Sequence, residues 1–377
     1  MRKKLIKNIN IITNDKIICG GSIVFGEKIE KIVPYILEDS SDLEVIDGKG
    51  AYLSAGFIDI HTHGASGRDT MEADYNALNS ISKTLAKHGV TAFLPTTMTM
   101  SPDQIKRALS AVREAADRGT DGAVIAGSHV EGPFISEEYI GAQNSRYILD
   151  PDPDLLRDYY DVIKIVTLAP EKKGALTLIK ELKKNNITAA AGHSAANYED
   201  FQAAREAGMD HFTHLYNAMS GLHHRRPGLV GAALDSDLTV ELIADLIHHH
   251  EAVDRLTIKY KGADRVILVS DSMEAAGLED GKYELGGQEV FVKEGAARLK
   301  SGQLAGSVLT LDKAVRNVMS ITDLSIPEIF RMVTLNPAKK LGIDHQTGRI
   351  EKNYFSDLIL LNKKFEVLKT FIRGKTL

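Results

Sequence analysis

The sequence holds a single cysteine, Cys19, so no disulfide can form within the chain, and a reducing, cytoplasmic setting is expected. No apolar run approaches the roughly 18 residues of a membrane span, and Met1-Arg2-Lys3-Lys4 leads into an alternating stretch instead of the apolar block of an export signal. A membrane partner is not expected. Excess positive charge is also lacking. Lys and Arg number 46 against 51 Asp and Glu, for a net charge of −5, and no face-sized basic run offsets that balance, which argues against nucleic acid as a partner. Long internal repeats and low-complexity segments are missing, which removes a solenoid or a disordered linker from consideration. What is there is ordinary for a globular chain. At 377 residues and 43% hydrophobic content, it can build one large barrel and a small accessory domain.

The first fifty residues alternate apolar and polar in short pieces, as in Leu5-Ile6-Lys7-Asn8-Ile9-Asn10-Ile11 and Lys28-Ile29-Glu30-Lys31-Ile32-Val33, with glycines between them. This is the pattern of short antiparallel strands. It returns only at the end, in Ser356-Asp357-Leu358-Ile359-Leu360-Leu361 and Val367-Leu368-Lys369-Thr370-Phe371-Ile372. The expected division is therefore a small β-sandwich domain from both chain ends, residues 1–54 with 345–377, around a (β/α)8 TIM-barrel domain at 55–344. Within the latter, eight β-rich runs alternate with helical stretches: 56–60, 90–94, 123–127, 163–168, 187–191, 211–213, 239–244 and 266–269. Helices are expected at Tyr75–His88, with Leu78, Ile81 and Leu85 at helical spacing, and at Pro102–Asp117, with proline in the first turn.

In such a barrel the chemistry sits at the C-terminal ends of the strands. Several runs end in ionisable residues there: His61-Thr62-His63, His129-Val130-Glu131, Gly192-His193, Thr213-His214 and Ser270-Asp271. Residues two apart in an extended segment share a face, so His61 and His63 can both point into the barrel mouth and share a metal. Alone, each of these histidines is better read as a hydrogen-bonded core or surface residue, and Asp271 as a cap or an Asx-turn. Their convergence changes the balance. Imidazole nitrogen and carboxylate oxygen are the ligands that Zn²⁺ and Fe²⁺ accept, and Glu131 can bridge two ions with its two oxygens. A carboxylate beside them, Asp271, suits the role of general base towards an attacking water and then general acid towards a leaving nitrogen. His129 can face the same way as Glu131. The clusters at His223-His224 and His248-His249-His250 fit solvated loops, with His248 the one placed after the seventh strand on the site's side.

The ordered set Gly56-Phe57-Ile58-Asp59-Ile60-His61-Thr62-His63-Gly64, His129-Val130-Glu131-Gly132-Pro133-Phe134, Ala191-Gly192-His193-Ser194 and Thr213-His214-Leu215-Tyr216-Asn217-Ala218-Met219 resembles the N-acetylglucosamine-6-phosphate deacetylases of the amidohydrolase superfamily. Thr167-Leu168-Ala169-Pro170-Glu171, Pro227-Gly228-Leu229-Val230-Gly231 and Leu304-Ala305-Gly306-Ser307 extend the likeness over nearly the whole chain. The resemblance implies a metal-dependent deacetylase of amino sugar metabolism, with Glu131, His193 and His214 on a principal ion and His61 and His63 on a second where one is bound. It implies Asp271 as the catalytic acid and base. Substrate contacts are implied at Ala142, Gln143, Asn217, Ala218, Arg225, His248, Leu304, Ala305 and Gly306, Arg225 reaching into the neighbouring subunit of a homodimer. One or two divalent ions per subunit, Zn²⁺ or Fe²⁺, and a phosphorylated amino sugar are the implied cofactor and partner.

The sequence also departs from that pattern. Gln143 stands where the family commonly has a histidine, Arg226 where an acidic residue is usual, and His249 and His250 are extra. Gln offers a donor and an acceptor but no charge. The alternatives are therefore a deacetylase of N-acetylgalactosamine 6-phosphate or of an unphosphorylated acetamido sugar, a non-catalytic binding protein on the same fold, and a structural metal protein that unfolds when stripped.

Overall fold

A computed structural model describes residues 2–377. Its centre is a ring of parallel strands: β1 (Phe57–Thr62), β2 (Val90–Thr97), β3 (Ser128–Glu131), β4 (Ile163–Leu168), β5 (Thr188–Ala191), β6 (His211–Phe212), β7 (Thr239–Leu242) and β8 (Val266–Leu268). Each strand pairs with the next from β1 to β8. The ring closes without a regular ladder between β8 and β1. Asp271 donates to the His61 carbonyl at 2.9 Å and His63 to the Ser272 carbonyl at 2.8 Å. Lower down, Ile58 and Leu268 donate to the carbonyls of Val333 and Met332, so the turn after the helix Ile326–Arg331 fills the gap. This is the (β/α)8 barrel expected from the sequence. One strand is displaced: Val124–Ile125 only pairs along the side of β2, and the third barrel strand is the next segment, Ser128–Glu131.

Helices form where the apolar spacing predicts them. Tyr75–Lys87 starts on Asp74, whose side chain accepts from the Ala77 amide, and buries Leu78, Ile81 and Leu85. Pro102–Arg118 buries Ile105, Leu109 and Val112 on one face, and each such side chain contributes about 2 kcal/mol on leaving water. All six lie in one apolar cluster with the barrel strands.

The chain ends meet in a seven-stranded sheet. Lys4–Ile12 lies between Ile17–Phe25 and Glu44–Ala55, and Leu358–Leu361 joins the far edge of Glu44–Ala55, followed by Val367–Ile372. A register shift between Lys7 and Ile9 bends the first strand. Ile6, Ile23, Leu53, Leu358 and Phe371 share an apolar cluster of their own. A third sheet, Gly281–Leu285, Gln288–Lys293 and Ala296–Leu299, rises from the segment after β8 and packs Leu285, Val290 and Val292 against Met98, Met273 and Ala305. It was not anticipated from the sequence, and it walls the barrel mouth.

Candidate active site

Five of the barrel strands deliver one end each to the same point. Glu131 closes β3, His61 and His63 flank the end of β1, and His193, His214 and Asp271 follow β5, β6 and β8 by two or three residues. The last three have left-handed backbone, at φ of +49°, +27° and +46°. Residues other than glycine hold that conformation only where the surroundings impose it, and such residues gather at functional sites. The impositions are visible. His193 gives its carbonyl to Ser136 at 2.8 Å, and Glu171 holds the next two residues through the Ser194 hydroxyl (2.7 Å) and the Ala195 amide (2.6 Å). The Asp271 carbonyl accepts from Ser307 at 2.8 Å. Gly141, at φ +57°, brings its loop against His193, where a Cβ would stand 2.9 Å from the imidazole Cε1.

Glu131 is the hub. Its Oε1 lies 2.9 Å from His214 Nε2, 3.2 Å from His193 Nε2 and 3.4 Å from His61 Nε2, while Oε2 lies 3.4 Å from His63 Nε2. Asp271 Oδ1 faces the other side of the His61 and His63 pair at 3.4 and 3.2 Å. All six side chains are buried. Burial disfavours the charged form of each. At His61, however, the carboxylates of Asp271, Glu241 and Glu131 outweigh it and push the imidazolium up to about 9. Burial likewise raises Glu131, and the charges of His193 and His61 outweigh it, holding this carboxyl well below the usual range. So many carboxylate oxygens at one point demand cationic partners.

Divalent ions can meet that demand as well as protons can. The Nδ1 atoms of His63 and His193 face the carbonyls of Thr96 (3.2 Å) and Tyr139 (3.1 Å), which only accept, so the Nδ1 atoms carry the hydrogens and the Nε2 lone pairs converge. His193 and His214 bring their Nε2 atoms to 3.0 Å, and His61 and His63 bring theirs to 3.3 Å. Two nitrogens bound to one tetrahedral ion stand about 3.3 Å apart. Glu131, His193 and His214 form one group that can hold an ion, and His61, His63 and Glu131 form a second.

Above the ligands lies a cavity of about 260 Å³ walled by His63, Glu131, His193, His214 and Asp271 together with Met98, Ala142, Gln143, Asn217, Ala218, His248, Leu285, Gln303, Leu304 and Gly306. Most side chains singled out from the sequence therefore meet here. Three do not reach the wall. His61 lies beneath it, fully buried; Ala305 is turned into the apolar cluster of the third sheet; and Arg225 is exposed, with its guanidinium on His224 at 2.7 Å. Gln143 is in the wall but already engaged, accepting from the Thr99 amide at 2.7 Å and donating to Glu131. His129 does not face the ligand point either. Its nitrogens are taken by the Ile60 carbonyl (3.0 Å) and the Thr167 hydroxyl (2.7 Å), and burial together with the His61 charge presses its pKa down to about 3.

Glu241 was missed. Fully buried on β7, it accepts from His61 Nδ1 at 2.9 Å, from the His214 amide at 3.1 Å and faces His211 Nε2 at 3.3 Å. The signal was available: in Thr239-Val240-Glu241-Leu242 an acid alternates with apolar residues and so points to the barrel interior. By fixing the tautomer and ring of His61 it orients a side chain that can hold an ion, and Glu241→Gln is expected to weaken metal retention at the His61 and His63 pair by about 10 to 100-fold. Metal content after dialysis against buffered ion measures this, and unchanged retention contradicts it.

Comparison with known proteins agrees with this geometry. The Amidohydrolase family matches residues 52–377. This chain belongs to the amidohydrolase family. It is thus a hydrolase acting on an amide. Among relatives of this amidohydrolase, N-acetylglucosamine-6-phosphate deacetylase of Bacillus subtilis (strain 168) is 39% identical over 379 residues, covering 98% of this chain and 96% of the relative. N-acetylgalactosamine-6-phosphate deacetylase of Escherichia coli O157:H7 is 37% identical, covering 88% of this chain and 89% of the relative. The crystal structure of N-acetylglucosamine-6-phosphate deacetylase from Pasteurella multocida superposes with a TM-score of 0.95 at 33% identity, over 100% of this chain and 99% of that one. No helix among the described residues is long and apolar enough to cross a membrane.

Proposed function

We propose that this amidohydrolase removes the acetyl group of N-acetylglucosamine 6-phosphate, giving glucosamine 6-phosphate and acetate, with one or two divalent ions, Zn²⁺ or Fe²⁺, per subunit. The observation that carries the reading is the Asp271 carboxylate at the cavity floor, 3.2 Å from His63 Nε2 and beside the Glu131, His193 and His214 group. An amide is a poor electrophile with a poor leaving group, so both its carbonyl and its nitrogen need help. A bound ion polarises the carbonyl and acidifies the attacking water. Asp271 takes the proton from that water and returns it to the departing nitrogen. Glu131, His193 and His214 would hold the principal ion, and His61 and His63 the second. His248, in the cavity wall with its Nδ1 bonded to Asp245 at 2.7 Å, is turned by that bond to meet substrate with Nε2.

Arg225 completes the site from outside. It is exposed and does not line its own cavity, which suits a homodimer in which it grips the phosphate in the neighbouring subunit's cavity with its fork of donors. Arg225→Ala is expected to raise KM for the phosphorylated sugar by about tenfold or more and to leave an unphosphorylated analogue unaffected. Equal effects on the two substrates contradict the phosphate assignment. The lone cysteine supports a cytoplasmic setting, and the clustering of the two chain ends supports a separate small domain from 1–54 and 345–377.

A second reading, N-acetylgalactosamine 6-phosphate as substrate, is favoured by the relative of that activity and by Gln143 in place of the usual histidine. Side-by-side turnover of the two sugar phosphates and of unphosphorylated N-acetylglucosamine tests the proposal. A preference for N-acetylglucosamine 6-phosphate is expected. Faster turnover of either of the others overturns it.

A further inference from the structure

Two of the three consecutive histidines after β7 are tied to aspartates, and only His248 reaches the cavity itself. His249 is buried behind the wall. Its Nδ1 lies 2.8 Å from Oδ1 of Asp254, a fully buried residue in the first turn of the helix Glu251–Lys261. Its ring packs edge-on against Tyr216, centroids 5.3 Å apart at 71°, and the Tyr216 hydroxyl is bonded to Thr257 of the same helix. A carboxylate only accepts, so Nδ1 carries a hydrogen towards Asp254 and Nε2 is the nitrogen left to face the cavity side.

That acceptor faces Asn217. The Asn217 Nδ2 lies 3.0 Å from His249 Nε2 and 3.3 Å from each of the carbonyls of His214 and Leu215. Two carbonyls that only accept fix this corner of the amide as its NH2, since a flip would set the oxygen against both, and that NH2 in turn makes His249 Nε2 an acceptor. Both N–H groups are thereby used. Oδ1 is the remaining polar atom of a side chain that lines the cavity, and among the described residues no donor reaches it.

We infer that the Asp254–His249 pair is a positioning device that locks the Asn217 amide with its oxygen available to substrate, so that this part of the cavity accepts a hydrogen bond from a sugar hydroxyl. An unprotonated phosphate oxygen only accepts and is disfavoured at this atom, so Asn217 Oδ1 is directed to a hydroxyl of the substrate. The inference rests on the reading of the cavity as a sugar-phosphate site. It adds to that reading a polarity and two residues, His249 and Asp254, that touch no substrate.

The test uses two substitutions that divide the imidazole. In His249→Asn the short amide still donates to Asp254 but has no atom where Nε2 was; in His249→Gln the longer side chain supplies an acceptor to Asn217. Purified metal-loaded enzyme is assayed with N-acetylglucosamine 6-phosphate and with its 3-deoxy and 4-deoxy analogues. The parent is expected to lose about tenfold in kcat/KM on one of the two analogues, the worth of one neutral hydrogen bond. His249→Asn is expected to raise KM for the full substrate by about the same factor, with kcat little changed, and to treat that analogue and the full substrate alike. His249→Gln is expected to restore the discrimination. Asn217→Ala, which leaves the Asp254–His249 pair intact, is expected to erase it, so the outcome does not depend on His249→Asn folding. A parent that treats both analogues like the full substrate, or an Asn217→Ala variant that keeps the discrimination, overturns the inference. Failure of the parent to release acetate from the full substrate overturns instead the reading on which the inference rests.

Discussion

Asp271→Asn is expected to keep its metal and its fold while releasing acetate at least about 10³-fold more slowly than the parent. The two side chains have the same shape, and asparagine tolerates the left-handed backbone at this position, φ +46°, as well as aspartate does. The bonds that hold the residue, from its amide to the His61 carbonyl and from Ser307 to its own carbonyl, are made by the backbone and survive. What is lost is the ability to take and return a proton. Burial raises the Asp271 carboxyl, but positive charge at the His61 and His63 positions outweighs it and lowers it below the usual value; an ion held there would supply charge of the same sign, so the group is ionised and ready to act as a base at neutral pH. Metal content, thermal melting and acetate release on one preparation separate the possibilities. Near-normal acetate release contradicts the assigned role, and so does a variant that is inactive only because it has lost its metal.

Glu131→Gln is expected to lose metal from both positions and to abolish acetate release, because one carboxylate serves both groups, approaching His193 and His214 through Oε1 and His63 through Oε2. The amide keeps the size of the side chain but carries no charge and has one oxygen in place of two. The substitution keeps the side chain's volume and leaves the apolar cluster around the barrel unchanged, so the variant is expected to stay folded. Chelation of the parent should behave the same way: activity lost, far-ultraviolet circular dichroism retained. A Glu131→Gln protein with a full complement of metal contradicts the ligand assignment. Unfolding on chelation makes the metal structural, not catalytic.

The sequence revealed most where chemistry and periodicity coincide. Alternation of short apolar runs with helical stretches marked the barrel, and ionisable residues immediately after those runs marked its mouth. The departures have physical causes. The run Ala123–Gly127 is as apolar as a strand, yet Gly127 at φ +140° breaks it, and the pairing passes to Ser128–Glu131. The residues from Gly281 to Leu299 have modest alternation and lie after the eighth strand, beyond the runs assigned to the barrel, so their sheet went unseen. His129 shares a face with Glu131 in principle, but Ile60 and Thr167 take both of its nitrogens, which no spacing rule reveals. Arg225 and Ala305 came from resemblance alone, and neither touches the cavity of its own chain. Glu241 and His249 show the converse. Each acts through a partner distant in sequence, His61 or Asn217, and only the folded chain brings those partners within hydrogen-bond distance.

The most direct test is to strip the purified protein of metal and titrate it with Zn²⁺ or Fe²⁺ while following acetate release from N-acetylglucosamine 6-phosphate. Activity that is absent without ion and rises in step with the first one or two equivalents per chain is the expected result. Full metal occupancy without acetate, or acetate release that ignores the ion, contradicts the account.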